Sequence, residues 1–166
     1  MNWVPSVYTS HSYYLATNGP ELSAPVGIAI FVLGALCIWI NYDCDHQRYV
    51  FRQTNGKCKI WGKDPEFIKA EYVTSSGEKR TNLLLCSGWW GWSKHAGYNF
   101  EILSSFFWSA PALGSALWCP YFYVIFLTIL LVDRSFRDDD RCGKKYGAAW
   151  VEYSERVPYK IVPGVI

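Results

Sequence analysis

The chain of 166 residues carries 16 Lys and Arg against 14 Asp and Glu, a net charge of +2, which leaves no strong electrostatic footprint for nucleic acid. Its length is that of about one domain. The six cysteines contain no CxxC pair and Cys44 and His46 have no second pair to complete a metal set, so neither a disulfide framework nor a metal site is indicated. There is also no GxGxxG and no Walker loop, which argues against a soluble-type nucleotide fold.

Residues 1–25 are polar and aromatic, punctuated by Pro5, Pro20 and Pro25, and read as the end of something larger plus a turn. No charge then occurs over residues 22–42, a run of 21. A helix needs roughly 20 apolar residues to cross the hydrocarbon core, so a first span is expected near 26–42, with Gly27 and Gly34 available for close helix contact. Residues 43–52 carry charge at helical spacing. Arg48 and Arg52 stand at i, i+4, where two guanidinium groups repel unless they share an anion. Their forks match phosphate geometry; anionic lipid headgroups satisfy the same pattern. Asn55-Gly56 and Ser75-Ser76-Gly77 are turn signals, and the apolar pairs Ile60-Trp61 and Tyr72-Val73 are expected to flank a small hairpin.

Residues 83–92 are apolar but too short to span, which suggests a re-entrant or interfacial piece. Gly88 and Gly91 permit close backbone approach. His95 can move a proton near neutral pH, although a His beside Trp and Tyr is more often a structural hydrogen-bonder. A second charge-free run covers 102–132, 31 residues. Pro111, Gly114 and Pro120 divide it, so a helical hairpin is expected, with spans near 100–116 and 119–134. The tail, read as one helix, places Asp138, Cys142, Lys145 and Tyr146 on one face, with Tyr153 two turns beyond, and pairs Asp140 with Lys144. A carboxylate suits ribose hydroxyls, a lysine suits phosphate, and a tyrosine stacks on a purine. On spacing alone a solvated juxtamembrane helix is the simpler account.

The fold class expected is an all-α integral membrane protein with about three transmembrane helices, one span followed by a helical hairpin, and a cytosolic C-terminal helix. The 9 Trp and 12 Tyr gather beside the apolar runs, as at membrane interfaces. Residues 1–42 hold no Lys or Arg, whereas 43–82 hold eight and 133–166 hold seven. The positive-inside rule places the middle segment and the tail on the cytosolic side.

Gly88-Trp89-Trp90-Gly91, followed by Lys94, His95 and Tyr98, resembles the GWWG-x-x-[RK]H-x-x-Y motif of the membrane-bound sterol reductases. Residues 130–147, with Trp150, Tyr153 and 157–164, resemble that family's closing motif. Residues 55–63 resemble the Δ7 branch and residues 40–45 are similar to its plant form; the Δ14 branch lacks the 55–62 block. The likeness runs over all of residues 1–166 but covers only the back of the family, so the chain is expected to be the cofactor-binding C-terminal part of a longer multi-span protein. The resemblance implies a multi-pass endoplasmic-reticulum membrane enzyme of sterol biosynthesis. Such an enzyme uses NADPH to reduce the C7–C8 double bond of 5,7-diene sterols. Its partners would be the sterol substrate, the lipid bilayer and other sterol-biosynthesis enzymes, with no nucleic acid.

Carried over by position, Arg48 and Arg52 would hold phosphate. Leu85 and Trp90 would line the pocket with Tyr98 beside them. Asp138, Cys142, Gly143, Lys144, Lys145, Tyr146 and Tyr153 would clasp the nucleotide. Arg48 stands where many members have Lys, Gly97 where many have Asn, and His11 where Gln is common. No residue is implied as the proton donor. The alternatives are a Δ14-sterol reductase, a non-catalytic scaffold of the same family, and an isoprenylcysteine-type methyltransferase. The scaffold would want an added basic region, and the methyltransferase would not carry the 55–62 block.

Overall fold

The computed structural model describes residues 12–74, 76–113 and 118–165; His11 and Gly114 lie outside them. After a short helical segment at 12–18 come α1 (Ala24–Gln53), the strands β1 (Phe67–Val73) and β2 (Lys79–Leu85), a 3-10 turn Gly88–Gly91, α2 (Ala96–Ser109), α3 (Phe122–Tyr146) and α4 (Ala148–Arg156). The described residues fall into two compact units. One comprises those up to 40 with 100–131, the other 41–99 with 132–166.

The first unit is helical and turns its apolar side chains outward. Phe31 is 75 % exposed and Ile129 65 %. Water would penalise such surface at roughly 25 cal/mol per Å², whereas lipid would not. α1 and the 28-residue stretch Cys119–Tyr146 are long and apolar enough to cross a membrane. The expected span near 100–116 is not confirmed among the described residues. α2 has only 14 residues, about 21 Å at roughly 1.5 Å per residue against a core of about 30 Å. It then tightens into a 3-10 turn at Ala110–Ala112, where Pro111 removes a helical donor. Gly34 does serve close packing, since a Cβ there would lie 3.3 Å from Phe107 Cβ, while Gly27 faces nothing within 4 Å. The Ser109 hydroxyl, fully buried, donates to the Pro120 carbonyl at 2.6 Å and ties the end of α2 to the approach of α3.

The second unit departs from the all-α expectation. It contains an antiparallel hairpin in which Phe67 pairs with Leu85 and Val73 with Lys79. Its turn is at the predicted Ser-Ser-Gly site, where Thr74 N–H donates to Glu78 O at 2.9 Å. The strands are β1 and β2, however; Ile60 and Trp61 belong to a separate tight turn bridged to Lys63. The hairpin is covered on both faces at its open end. Ile68, Ala70 and Leu84 pack on Tyr153 and Val157 of the tail, while Leu85 packs with Phe51, Ile60 and Trp90. Coverage on both sides explains the unbroken Leu83-Leu84-Leu85 run, which is strand core and not a re-entrant membrane piece.

The Trp-rich 3-10 turn is anchored to α1. Trp89 Nε1 donates to Asp43 at 2.7 Å, and Trp90 Nε1 to the Cys44 carbonyl at 2.9 Å. Gly88 makes this possible. Its φ is +64°, and a Cβ would lie 2.6 Å from Ile60 Cγ2 and collide with Gln47 Oε1. The tail is not one helix. Gly147, at φ +54°, breaks it into α3 and α4.

Candidate functional site

Within the second unit, the end of α1, β2, the turn after Trp90, α3 and α4 enclose a small cavity of about 80 Å³ that opens into a groove of about 650 Å³. The larger volume falls in the range of ligand pockets, roughly 300–1,000 Å³. Helical spacing brings Arg48 and Arg52 from α1 to one wall. The opposite wall is the α3 face of Asp138, Cys142, Lys145 and Tyr146. Leu85, Trp90 and Tyr153 line the inner cavity. Gly147 turns the chain so that Tyr146 and Tyr153 still meet one cavity, although they sit on different helices.

Cationic charge dominates the groove. The Arg48 guanidinium lies 4.4 Å from the centre of the Trp90 ring. Lys145 Nζ lies 4.0 Å from the Tyr72 ring centre and 5.0 Å from that of Tyr146. None of Arg48, Arg52 and Lys145 makes an ion pair among the described residues. Clustered cations without carboxylate partners, Arg48 half-buried and Arg52 and Lys145 exposed, raise the local concentration of anions. Asp138 supplies the acidic counterpoint. It pairs with Arg141, and its Oδ2 lies 3.9 Å from His95 Nε2. Asn82 Nδ2 donates to the Tyr146 hydroxyl at 2.8 Å and fixes that phenol in place.

Burial pushes His95 below its ordinary value. Asp138 opposes that shift and Arg48 reinforces it, so the ring is neutral at physiological pH. Burial, aided by Cys86, pushes the Tyr153 phenol up and keeps it protonated. His95 stacks on Tyr98 with ring centres 4.7 Å apart.

Of the twelve residues expected to bind the cofactor, nine line the cavity or groove: Arg48, Arg52, Leu85, Trp90, Asp138, Cys142, Lys145, Tyr146 and Tyr153. Tyr98 instead backs His95. Gly143 lies against Trp150, and Lys144 is exposed with no ion pair to Asp140 among the described residues. Contributors missed include Asn82, Lys94, Trp150, Leu83, Tyr72 and, behind the wall, Asp139. Lys94 is 7 % exposed despite its charge, and only its place in the Ser93-Lys94-His95 stretch hinted at this.

The chain matches the ergosterol biosynthesis ERG4/ERG24 family over residues 1–166 and belongs to it. It is similar to the 7-dehydrocholesterol reductase of Arabidopsis thaliana, 58% identical over 163 residues, 98% of this chain and 38% of that protein. The 7-dehydrocholesterol reductase of Xenopus laevis is 41% identical over 98% of the chain and 34% of its own length. The Delta(14)-sterol reductase of Dictyostelium discoideum is 39% identical over 100% of the chain and 35% of its own length. The chain thus spans about a third of the length of the curated relatives it matches.

Proposed function

We propose that this chain is the cofactor-binding part of an NADPH-dependent sterol Δ7-reductase. The observation that carries the reading is the meeting of Arg48, Arg52 and Lys145, none of them ion-paired among the described residues, with Asp138 and Tyr146 around one groove of about 650 Å³, with Trp90 in the adjoining inner cavity. That donor set fits a phosphorylated dinucleotide. The guanidinium forks of Arg48 and Arg52 and the Lys145 ammonium bind phosphate oxygens. Asp138 accepts from a ribose hydroxyl. Tyr146, held by Asn82, offers a fixed ring edge and face. Leu83, Leu84 and Leu85 with Trp90 keep water from the inner end.

When bound, NADPH supplies a hydride to one carbon of the sterol C7–C8 double bond, and a proton reaches the other. His95, kept neutral by burial, stands 3.9 Å from Asp138 at the edge of the cavity. The proton donor and most of the sterol cavity are assigned to the two-thirds of the relatives' length that this chain does not span. The exposed apolar helices support a multi-pass membrane protein, which we place in the endoplasmic reticulum with the basic middle segment and tail facing the cytosol.

The test is turnover. Membranes carrying the full reductase should reduce a 5,7-diene sterol with NADPH, and Asp138→Ala or Tyr146→Ala should cut that rate while the protein level holds. Retention of the full rate in both variants refutes the assignment. Reduction of an 8,14-diene in place of the 5,7-diene would favour the second reading, Δ14 reduction, which the Dictyostelium discoideum relative supports.

A further inference from the structure

Asp139 sits one residue beyond the groove-facing Asp138 and points elsewhere. Its Oδ1 accepts from Lys94 Nζ at 2.9 Å and from Trp150 Nε1 at 3.1 Å, and its Oδ2 from Lys160 Nζ at 2.9 Å. Lys94 Nζ also donates to Ser154 Oγ at 2.8 Å. Backbone bonds from Lys94 N to Tyr159 O and from His95 N to Lys160 O, both 2.9 Å, bind the same segments together. One carboxylate therefore joins α3, α4, the turn before α2 and the chain after α4. A side chain with three charged or aromatic donors is strongly fixed, and so is what it holds.

What it holds is an indole in the cavity wall. Trp150 lines the inner cavity between two tyrosines. Its ring centre is 5.0 Å from that of Tyr153 and 6.3 Å from that of Tyr146, with interplanar angles of 35° and 30°. Gly143 lets the indole lie close to α3: a Cβ there would be 3.6 Å from Trp150 Cδ1. An indole N–H withdrawn from water takes an acceptor in any fold; here the acceptor is a carboxylate itself fixed by two lysines, so the ring is held at one angle in the cavity wall, as stacking on a flat ligand needs.

We propose that Asp139 is a positioning residue that holds Trp150 in the cavity wall, where Trp150, Tyr146 and Tyr153 form a stacking platform for a planar heteroaromatic ring of the cofactor. The proposal rests on the NADPH reading above. It extends the ring face of Tyr146 into a wider platform inside the cavity, and it gives the Lys94–Asp139–Lys160 cluster, of which only Lys94 is buried, a purpose beyond stability.

The test is equilibrium binding to the purified protein in nanodiscs, followed by the quenching of intrinsic fluorescence. Three ligands are used: NADPH, 2′-phospho-ADP-ribose, which lacks the nicotinamide, and reduced nicotinamide mononucleotide, which lacks the adenine. Trp150→Ala removes the ring and should weaken NADPH roughly 5- to 150-fold, the range for losing one stacked base. Trp150→Phe keeps a ring without the tether, and Asp139→Asn keeps the shape without the charge. Each should weaken NADPH by a smaller factor, with the far-ultraviolet circular dichroism and melting of Trp150→Phe unchanged. The fragment whose affinity falls in parallel with NADPH identifies the stacked ring. Wild-type affinity in Trp150→Ala overturns the platform. Wild-type affinity in both Trp150→Phe and Asp139→Asn overturns the positioning role of Asp139. A wild-type protein that binds none of the three ligands refutes the NADPH reading itself.

Discussion

Replacing Arg52 by Ala isolates the phosphate contact from the fold. Arg52 is exposed and makes no ion pair among the described residues, so its loss should change stability by no more than about 0.5 kcal/mol. Binding should respond differently. Loss of one charge-assisted hydrogen bond to a phosphate costs about 1.5–3 kcal/mol, roughly 10- to 150-fold in Kd. Arg48→Ala should lose as much binding and some stability besides. Its guanidinium rests on Trp90, and such a cation–π contact contributes about 0.5–2 kcal/mol. The assay is NADPH titration by fluorescence at about 0.05 M and 0.5 M salt, beside a thermal melt without ligand. The account expects weakened binding, a shallower salt dependence and an unchanged melt for Arg52→Ala, with a lowered melt for Arg48→Ala. Wild-type NADPH affinity in Arg52→Ala, at both salt concentrations, would refute the phosphate role and leave the lipid-headgroup role standing.

Gly88→Ala should destabilise by about 2–4 kcal/mol, because a left-handed backbone and contacts with Ile60 and Gln47 both oppose a Cβ; a melt lowered by less than about 4 °C contradicts this. Gly143→Ala should be neutral or slightly stabilising, since the added methyl makes an ordinary contact with Trp150 in a helix; a large loss of NADPH affinity would instead restore Gly143 as a direct cofactor contact. Burial lowers the folded-state pKa of His95 relative to its unfolded value of 6.5, so its neutral form costs nothing above that pH, and stability falls as pH drops below about 6.5 toward the lower folded value. His95→Gln should remove that part of the acid sensitivity, and an unchanged pH–stability slope below 6.5 would show that His95 is not its source.

The parts of this molecule legible in sequence are those whose signal is local. Charge-free runs located α1 and α3, because hydrocarbon tolerates no unpaired charge. Helical spacing assembled Arg48 with Arg52, and Asp138 with Cys142, Lys145 and Tyr146, because residues of one helix face keep their geometry in any fold. What was not legible depends on contacts distant in sequence. Leu83, Leu84 and Leu85 read as a membrane piece because periodicity fails when a strand is buried on both faces, here by Tyr153 and Val157 on one side and Phe51 and Trp90 on the other. The expected span at 100–116 is not confirmed because absence of charge does not fix helix length: Pro111 ends α2 after 14 residues plus a single 3-10 turn. Nothing local in the sequence links Lys94 with Asp139, 45 residues apart, and only the fold brings the buried ammonium onto the half-buried carboxylate.

Hydrogen–deuterium exchange of the protein in nanodiscs, with and without NADPH, tests the central claim most directly. The account predicts that NADPH slows exchange in three separated stretches, 48–52, 82–85 and 138–146, and leaves 24–40 unchanged, because only the former line the groove. Protection confined to other segments, or no protection at NADPH concentrations that support turnover, would contradict it.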